Sequence, residues 1–317
     1  MRIATFNLEN LDLPLGPRAT VLRPALERLR ADIVCLQEVN GQHVRGEHGR
    51  RLLALDELLD GTPYAAFHRA ATMAGDGAGV LDVHNLVTLS RYPVLSSRQV
   101  QHDLVAPLEG RLVTASPSSS QQQAIRFDRP ILVTEIACGG TPLHVINVHL
   151  RAPLATAIPG GKSAPFAWKT VSQWAEGYHL SAVKRSGQAL ELRLVIDQML
   201  DRDAGTHILA VGDFNAEDHE TPLRIAIGAA EDTGNQLLTA RALIALDRGI
   251  DDSRRFSILH HGRPQMVDHI LASHALSGHF RSIEVHNEGL SDEALGFAKH
   301  VEAMGSYHAA LVAEFEM

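Results

Sequence analysis

Short apolar runs recur along the chain between polar turns. The runs RIATFN, DIVCLQE, NLVTLS, PILVTEI, LHVINVHL, HILAVGDFN, MVDHILAS and ALVAEF are rich in β-branched residues and bounded by turn formers, which predicts strands. Several carry no alternate polar position, so they are expected to be buried on both faces. Between them lie stretches with apolar residues at helical spacing. VLRPALERLR precedes DIVCLQE, LLALDELL follows it, and QALELRLVIDQML precedes HILAVGDFN. Strands mixed with helices predict an α/β sandwich. No linker divides the chain, so one domain over 1–317 is expected. The segment ASPSSSQQQ, Ala115 to Gln123, is polar and of low complexity, and reads as a surface loop. There is no internal repeat.

The polar residues interrupt this pattern at one kind of place. RIATFN ends at Asn7, DIVCLQE at Glu38, and HVINVHL carries His149. HILAVGDFN finishes on Asp213 and Asn215, and MVDHIL holds Asp268. Polar groups at strand ends, gathered at one edge of a sheet, are where α/β enzymes place their chemistry. In an extended chain Asp213 and Asn215 would point the same way. Each residue also has an ordinary structural explanation. Asn7 caps a turn, Glu38 caps a following helix, Asp213 and Asn215 form a turn, and His149 is a hydrogen-bonded core histidine. Asp268 is harder to explain so, because a carboxylate inside an apolar strand needs a partner.

Composition narrows the classes. The chain has 317 residues, a formal net charge of −8 and 45% hydrophobic residues, ordinary for a globular protein. The acidic balance argues against tight, sequence-blind binding to long nucleic acid, which needs many Lys and Arg contacts to phosphate. It leaves room for a small phosphorylated substrate. No apolar run is long enough to span a membrane, and MRIATFNLEN lacks the apolar segment of a signal peptide. A cytoplasmic protein is expected, with no protein partner implied. Cys35 and Cys138 lie in apolar strands and read as buried thiols.

Taken together, TFNLEN, CLQEVN, NLVTLSRYPV, INVHL, VGDFNAED followed by TPLR, GRPQMVDHILAS and SYHAALVAEF resemble the endonuclease/exonuclease/phosphatase superfamily with the DNase I-like fold. The resemblance covers nearly the whole chain. It implies a four-layered α/β sandwich, with two mixed β-sheets packed face to face and helices outside. It also implies hydrolysis of phosphate esters with a divalent metal, Mg²⁺ or Mn²⁺. Carried over motif by motif, Glu38 would ligate the metal with Asn7 beside it. Asp213 would orient or deprotonate the attacking water, and Asn215 would hold the water or the phosphate. His149 and His308 would contact phosphate oxygens, with Asp268 paired to His308. One position departs from the family: Ser306-Tyr307-His308 stands where the family has Ser-Asp-His, which removes a negative charge near the metal.

The core motifs do not separate substrates. The variable part is an insertion at about 151–187. It holds Arg151, Lys162, Lys169, Lys184 and Arg185 against one acid, Glu176, with Phe166, Trp168, Trp174 and Tyr178 interleaved. Such a mixture suits a base, acyl or aryl group beside a phosphate site, and equally a helix whose aromatics pack on the body. Asn85, Arg151, Trp168 and Tyr307 are the expected substrate contacts. The glycines of MAGDGAGV, the basic cluster HVRGEHGRR and the tandem His260-His261 read as loop and surface features. The expected activity is a metal-dependent phosphodiesterase or nuclease-like hydrolase acting by attack of water on phosphorus. A phosphomonoesterase of small metabolites or inositides, and a catalytically impaired binding protein, are the alternatives.

Overall fold

The computed structural model describes residues 1–75, 77–231, 233–294 and 304–316. The apolar runs become the strands of two six-stranded sheets. The first sheet contains β1 (Arg2–Leu11), β2 (Ile33–Val39), β3 (His68–Ala71) and β4 (Asn85–Ser90). The second contains β5 (Val94–Val100), β6 (Ile131–Ile136), β7 (Leu143–His149), β8 (His207–Asp213), β9 (Ile244–Ala245) and β10 (Asp268–Ala272). The chain then returns to the first sheet with β11 (Phe280–His286) and β12 (Ala310–Phe315). The strand orders are β11-β12-β1-β2-β4-β3 and β9-β10-β8-β7-β6-β5. Both sheets are mixed: β1 runs parallel to β2, β7 runs parallel to β8, and their other neighbours are antiparallel.

Strand alternation sorts the side chains into layers. Ile3, Ile33, Cys35, Val145, Leu209, Val211, Leu311 and Ala313 form one buried cluster between the sheets. Their neighbours Ala4, Val34 and Leu36 turn outward and pack under α1 (Arg18–Leu29) and α2 (Leu53–Leu59). Ile146, Val148, Ile208 and Ala210 turn outward from the second sheet, against Leu192, Val195 and Ile196 of α3 (Val171–Arg202). This is the four-layered sandwich that the sequence predicts. Cys35 and Cys138 are buried free thiols.

Two features fix how the strand ends of the two sheets face each other. A polar bridge crosses the apolar layer between the sheets. Gln37 Nε2 donates to Asn147 Oδ1 at 2.8 Å and to Thr5 Oγ1 at 3.1 Å, and all three residues are fully buried. Asn147 Nδ2 in turn donates to the carbonyls of Leu36 and Val87. The second feature is Gly212, with φ +140°, where an added Cβ would lie 2.0 Å from the Val148 carbonyl oxygen. Only glycine lets β7 and β8 approach this closely just before Asp213.

The helix before β8 is longer than QALELRLVIDQML. It starts at Val171 and has 32 residues, so it takes in Trp174 and Tyr178 of the insertion, while Phe166 and Trp168 lie before it. Thr170 caps it by accepting from Gln173 N. Because it runs between the end of β7 and the start of β8, its first turns stand at the edge of the sheet where β7 and β8 end.

Candidate active site

The C-terminal ends of β1, β2, β7 and β8 meet at one edge. His149 is in register with Asp213, and Asp213 with Asp268, across three adjacent strands. Asn7 and Glu38 come from the parallel pair of the other sheet and face them. Asp213 is the hub. Its Oδ2 accepts from Asn7 Nδ2 at 3.1 Å and Asn215 Nδ2 at 3.0 Å, with His149 Nε2 at 3.3 Å and His308 Nε2 at 4.0 Å. Glu38 Oε1 lies 3.4 Å from Asn7 Nδ2 and 3.5 Å from His149 Nε2. His308 Nδ1 is 2.8 Å from Asp268 Oδ2. Ser306 ties this end of the chain to β1: its hydroxyl donates to the Asn7 carbonyl at 2.7 Å and accepts from His308 N. The seven residues expected to be catalytic or metal-binding therefore converge.

Burial decides their charges. Asp213 is 1% exposed, and desolvation pushes its carboxyl up to about 7, opposed by His308 and reinforced by Asp268. Burial alone would lower the His308 pKa. The carboxylates of Asp268 and Asp213 outweigh it and hold the ring well above the ordinary histidine value, so it is cationic at neutral pH. His149 goes the other way. Burial, then Arg129 and the neighbouring imidazoles, drive its pKa well below the ordinary value, so it is neutral. One site thus holds an imidazolium and an imidazole on either side of one carboxylate. Burial and Glu38 push the Glu9 carboxyl up to about 7.

The backbone is left-handed at Glu9 (φ 50°), Asn10 (φ 50°), Glu38 (φ 58°), His84 (φ 57°) and Asn215 (φ 49°). Non-glycine residues adopt this conformation rarely and at a cost, and such strain gathers at functional sites. At β1 it forms a bulge, with the register broken between Asn7 and Leu11. It lets Glu9 N donate to Asn7 Oδ1 and Asn10 N to Glu38 Oε2, both at 2.9 Å. At Asn215 it replaces the extended geometry expected of GDFN. The strand stops at Asp213, and Asn215 folds back, its N–H reaching Asp213 Oδ1 at 2.8 Å. Its amide also donates to the Leu150 carbonyl, so that end of the side chain orients Asp213. Arg185 of α3 donates to the Asn215 carbonyl.

The expected substrate contacts fare unevenly. Arg151 stands at the site, within electrostatic reach of His149 and His84, and pairs with Asp128 at 3.3 Å. Asn85 does not offer its amide: it is fully buried and spends the group on Thr72, Leu81 and the Val39 carbonyl, locking the turn before β4. Trp168 is engaged within the insertion. Its ring lies under Lys162 at 4.8 Å and over Gly177 of α3. Tyr307 is buried, and burial followed by the charges of Glu9 and Glu293 raises its phenol pKa. It brings no anion to the place where the family carries one.

Two residues escaped the sequence reading. His84 stacks edge-on against His149 with ring centroids 5.8 Å apart. Arg129 donates to the Leu150 carbonyl at 3.1 Å and stands within electrostatic reach of Glu38 and Asp213. Neither sits at the end of an apolar strand, so the signal that found the others is silent for them.

Two groups of possible metal ligands lie here, Glu38 with His84 and His149, and Asp213 with Asp268 and His308. Asp268 Oδ1 and His84 Nδ1 are buried without a hydrogen-bond partner among the described residues. Carboxylate oxygens held close together, with orphaned acceptors beside them, fit a divalent cation. A third group, Asp218, Asp247 and His269, is neutralised by Arg255, 2.6 Å from Asp247 and 2.9 Å from Asp218. It acts as a clamp, with His269 Nε2 donating to the Ala216 carbonyl at 2.9 Å, just past Asn215.

Comparison with known proteins bears on the fold and the family. The truncated TDP2 of Caenorhabditis elegans superposes with a TM-score of 0.57 at 13% identity, covering 100% of this chain and 97% of that one. An AP endonuclease from Archaeoglobus fulgidus gives 0.55 at 14% identity with 100% of both chains covered. The 3' phosphatase NExo from Neisseria, bound to a product DNA hairpin, gives 0.51 at 16% identity, again with 100% of both covered. These likenesses establish the DNase I-like fold. No curated protein matches the chain. The model of the Endonuclease/Exonuclease/phosphatase family matches residues 4–308, which span every residue of the cluster from Asn7 to His308, and the chain belongs to that family.

Proposed function

We propose that the protein is a divalent-metal-dependent phosphoesterase that cleaves phosphodiesters. The observation that carries this reading is the Asp213 hub, one buried carboxylate held by two amides between a cationic and a neutral histidine. Mg²⁺ or Mn²⁺ held by Glu38 beside Asn7 would polarise the phosphoryl oxygens and lower the pKa of water there. The chain supplies the rest. Asp213, its carboxyl at about 7, takes the proton of the attacking water. Asn7 and Asn215 fix the direction of its lone pairs. His308, kept cationic by Asp268, offers an N–H to charge growing on a phosphoryl oxygen. Arg129 and Arg151 add positive potential on the His149 side. The similarity to an AP endonuclease and to a 3' phosphatase holding a DNA product supports an ester of the nucleic-acid type. The two free thiols support a reducing compartment such as the cytoplasm.

A panel of plasmid DNA, single-stranded RNA, bis-p-nitrophenyl phosphate and phosphomonoesters, each with Mg²⁺, Mn²⁺ or EDTA, tests this. Metal-dependent diester cleavage is expected, falling by about 10²–10³ in Asp213→Ala. Cleavage that survives EDTA, or that Asp213→Ala leaves intact, overturns the reading. Monoesters turning over faster than every diester would replace it with the phosphatase one.

A further inference from the structure

The geometry points to His84 as a metal ligand: with Glu38 and His149 it forms a mixed nitrogen and oxygen centre that favours a divalent transition ion such as Mn²⁺, Co²⁺ or Zn²⁺ over Mg²⁺. This rests on the metal-dependent reading above and adds an imidazole to it. His84 Nδ1 lies 4.0 Å from Glu38 Oε2, and His149 Nε2 lies 3.5 Å from Glu38 Oε1. Two ligands bound to one ion at about 2.1 Å each stand no more than about 4.2 Å apart, and each imidazole lies within that limit of one Glu38 oxygen, Oε2 for His84 and Oε1 for His149. One ligand atom from each of the three residues lies within 4.8 Å of the others.

Three further observations concern His84 itself. Its Nδ1 is buried and has no hydrogen-bond partner among the described residues, and neither has His149 Nδ1. No described residue therefore claims the His84 Nδ1 lone pair, whereas His149 Nε2 faces the carboxylates of Asp213 at 3.3 Å and Glu38 at 3.5 Å, so the ion would bind the tautomer that carries its proton on the unpartnered Nδ1. Second, His84 is held left-handed, as Glu38 is. That conformation carries a cost, and it sets the direction of the ring. Third, the turn is pinned on both sides. His84 N donates to Asn40 Oδ1 at 3.1 Å, and Asn85 locks the next residue with its buried amide. Of the nearby cations, Arg151 and Lys184 share Asp128, at 3.3 Å and 2.9 Å, while Arg129 stands within electrostatic reach of His84, His149 and Glu38 and raises the cost of an ion there. Imidazole nitrogen suits Mn²⁺, Co²⁺ and Zn²⁺, whereas Mg²⁺ prefers a shell of oxygens.

Electron spin echo envelope modulation on the full-length protein loaded with Mn²⁺ reads imidazole ligation directly, without turnover. The wild-type protein is expected to show ¹⁴N couplings from directly bound imidazole, converted to ¹⁵N couplings by ¹⁵N-histidine labelling. In His84→Gln the modulation should fall by about half, and Mn²⁺ binding should weaken by about 10–100-fold, while Mg²⁺ binding changes little. Mn²⁺ that binds the wild-type protein with no nitrogen coupling overturns the proposal and leaves the metal-dependent reading standing. So does a His84→Gln protein, folded by circular dichroism, whose spectrum and affinity match the wild type. A protein that binds neither Mn²⁺ nor Mg²⁺ overturns both.

Discussion

Asp268 touches no substrate in the proposed reaction, yet it sets the charge of the residue that does. Burial lowers the His308 pKa and Asp268 raises it, and the carboxylate wins. In Asp268→Asn the burial is left with Asp213 and Glu9 against it, so the ring loses its proton at lower pH. Activity that needs the cation is lost as pH rises through the His308 pKa, and that alkaline limb is expected to move toward acid, with kcat down by about 10²–10³. The sign for stability is the same. A raised histidine pKa stabilises the fold below the unfolded value of about 6.5 and stops doing so as pH rises through the folded value. A pH profile of kcat for the wild type and Asp268→Asn checks this; an unmoved limb would remove His308 from the reaction. At this scale the site was largely legible in the sequence, because Asn7, Glu38, His149, Asp213, Asn215 and Asp268 interrupt or close apolar strands. His84 and Arg129 were not, because what marks them is a neighbour from another strand. Asn85 and Trp168 looked available in sequence and are not, because a buried amide and a packed indole are already engaged.

Between the elements, the polar bridge of Gln37 and Asn147 holds two sheets in fixed relation across an otherwise apolar layer. Gln37 directly precedes Glu38, and Asn147 stands two residues before His149, so the bridge also spaces the two halves of the site. Replacing one partner strands the other's buried amide, which costs about 1–3 kcal/mol. Urea unfolding of Gln37→Met, Asn147→Leu and the double variant is expected to give a double-variant loss smaller than the sum of the singles. Strict additivity would mean that the two amides do not act together. The same scale shows where strand reading from sequence stops. The central strands appear as near-continuous apolar runs because both faces are covered. The strands β5, with VLSSRQV, and β11, with FRSIEVH, sit at sheet edges, bury only one residue each and carry no such run. The length of α3 was hidden for a related reason, since its first turns stand beyond the sheet and need no apolar stripe to match it.

As a whole molecule the protein carries a net charge of −8, while its site gathers Arg129, Arg151 and the His308 cation. Positive potential is local, so long nucleic acid would meet few phosphate contacts. A protein with 6–10 such contacts loses about 10³–10⁵ in affinity between 50 and 200 mM salt. Here kcat/KM for a diester substrate is expected to fall by less than about tenfold over that range; a steep slope would reveal an extended phosphate track. The strand order has a consequence in time. The β1–β12 pairing joins Arg2 to Glu314, and His308 lies just before it. A ribosome adding about 5–20 residues per second therefore works for roughly a quarter of a minute to a minute with Asn7 and Glu38 already made and His308 still to come. During that interval the cluster fills stepwise, with His149, then Asp213 and Asp268, and it closes only when the strand that follows His308 slides in beside β1.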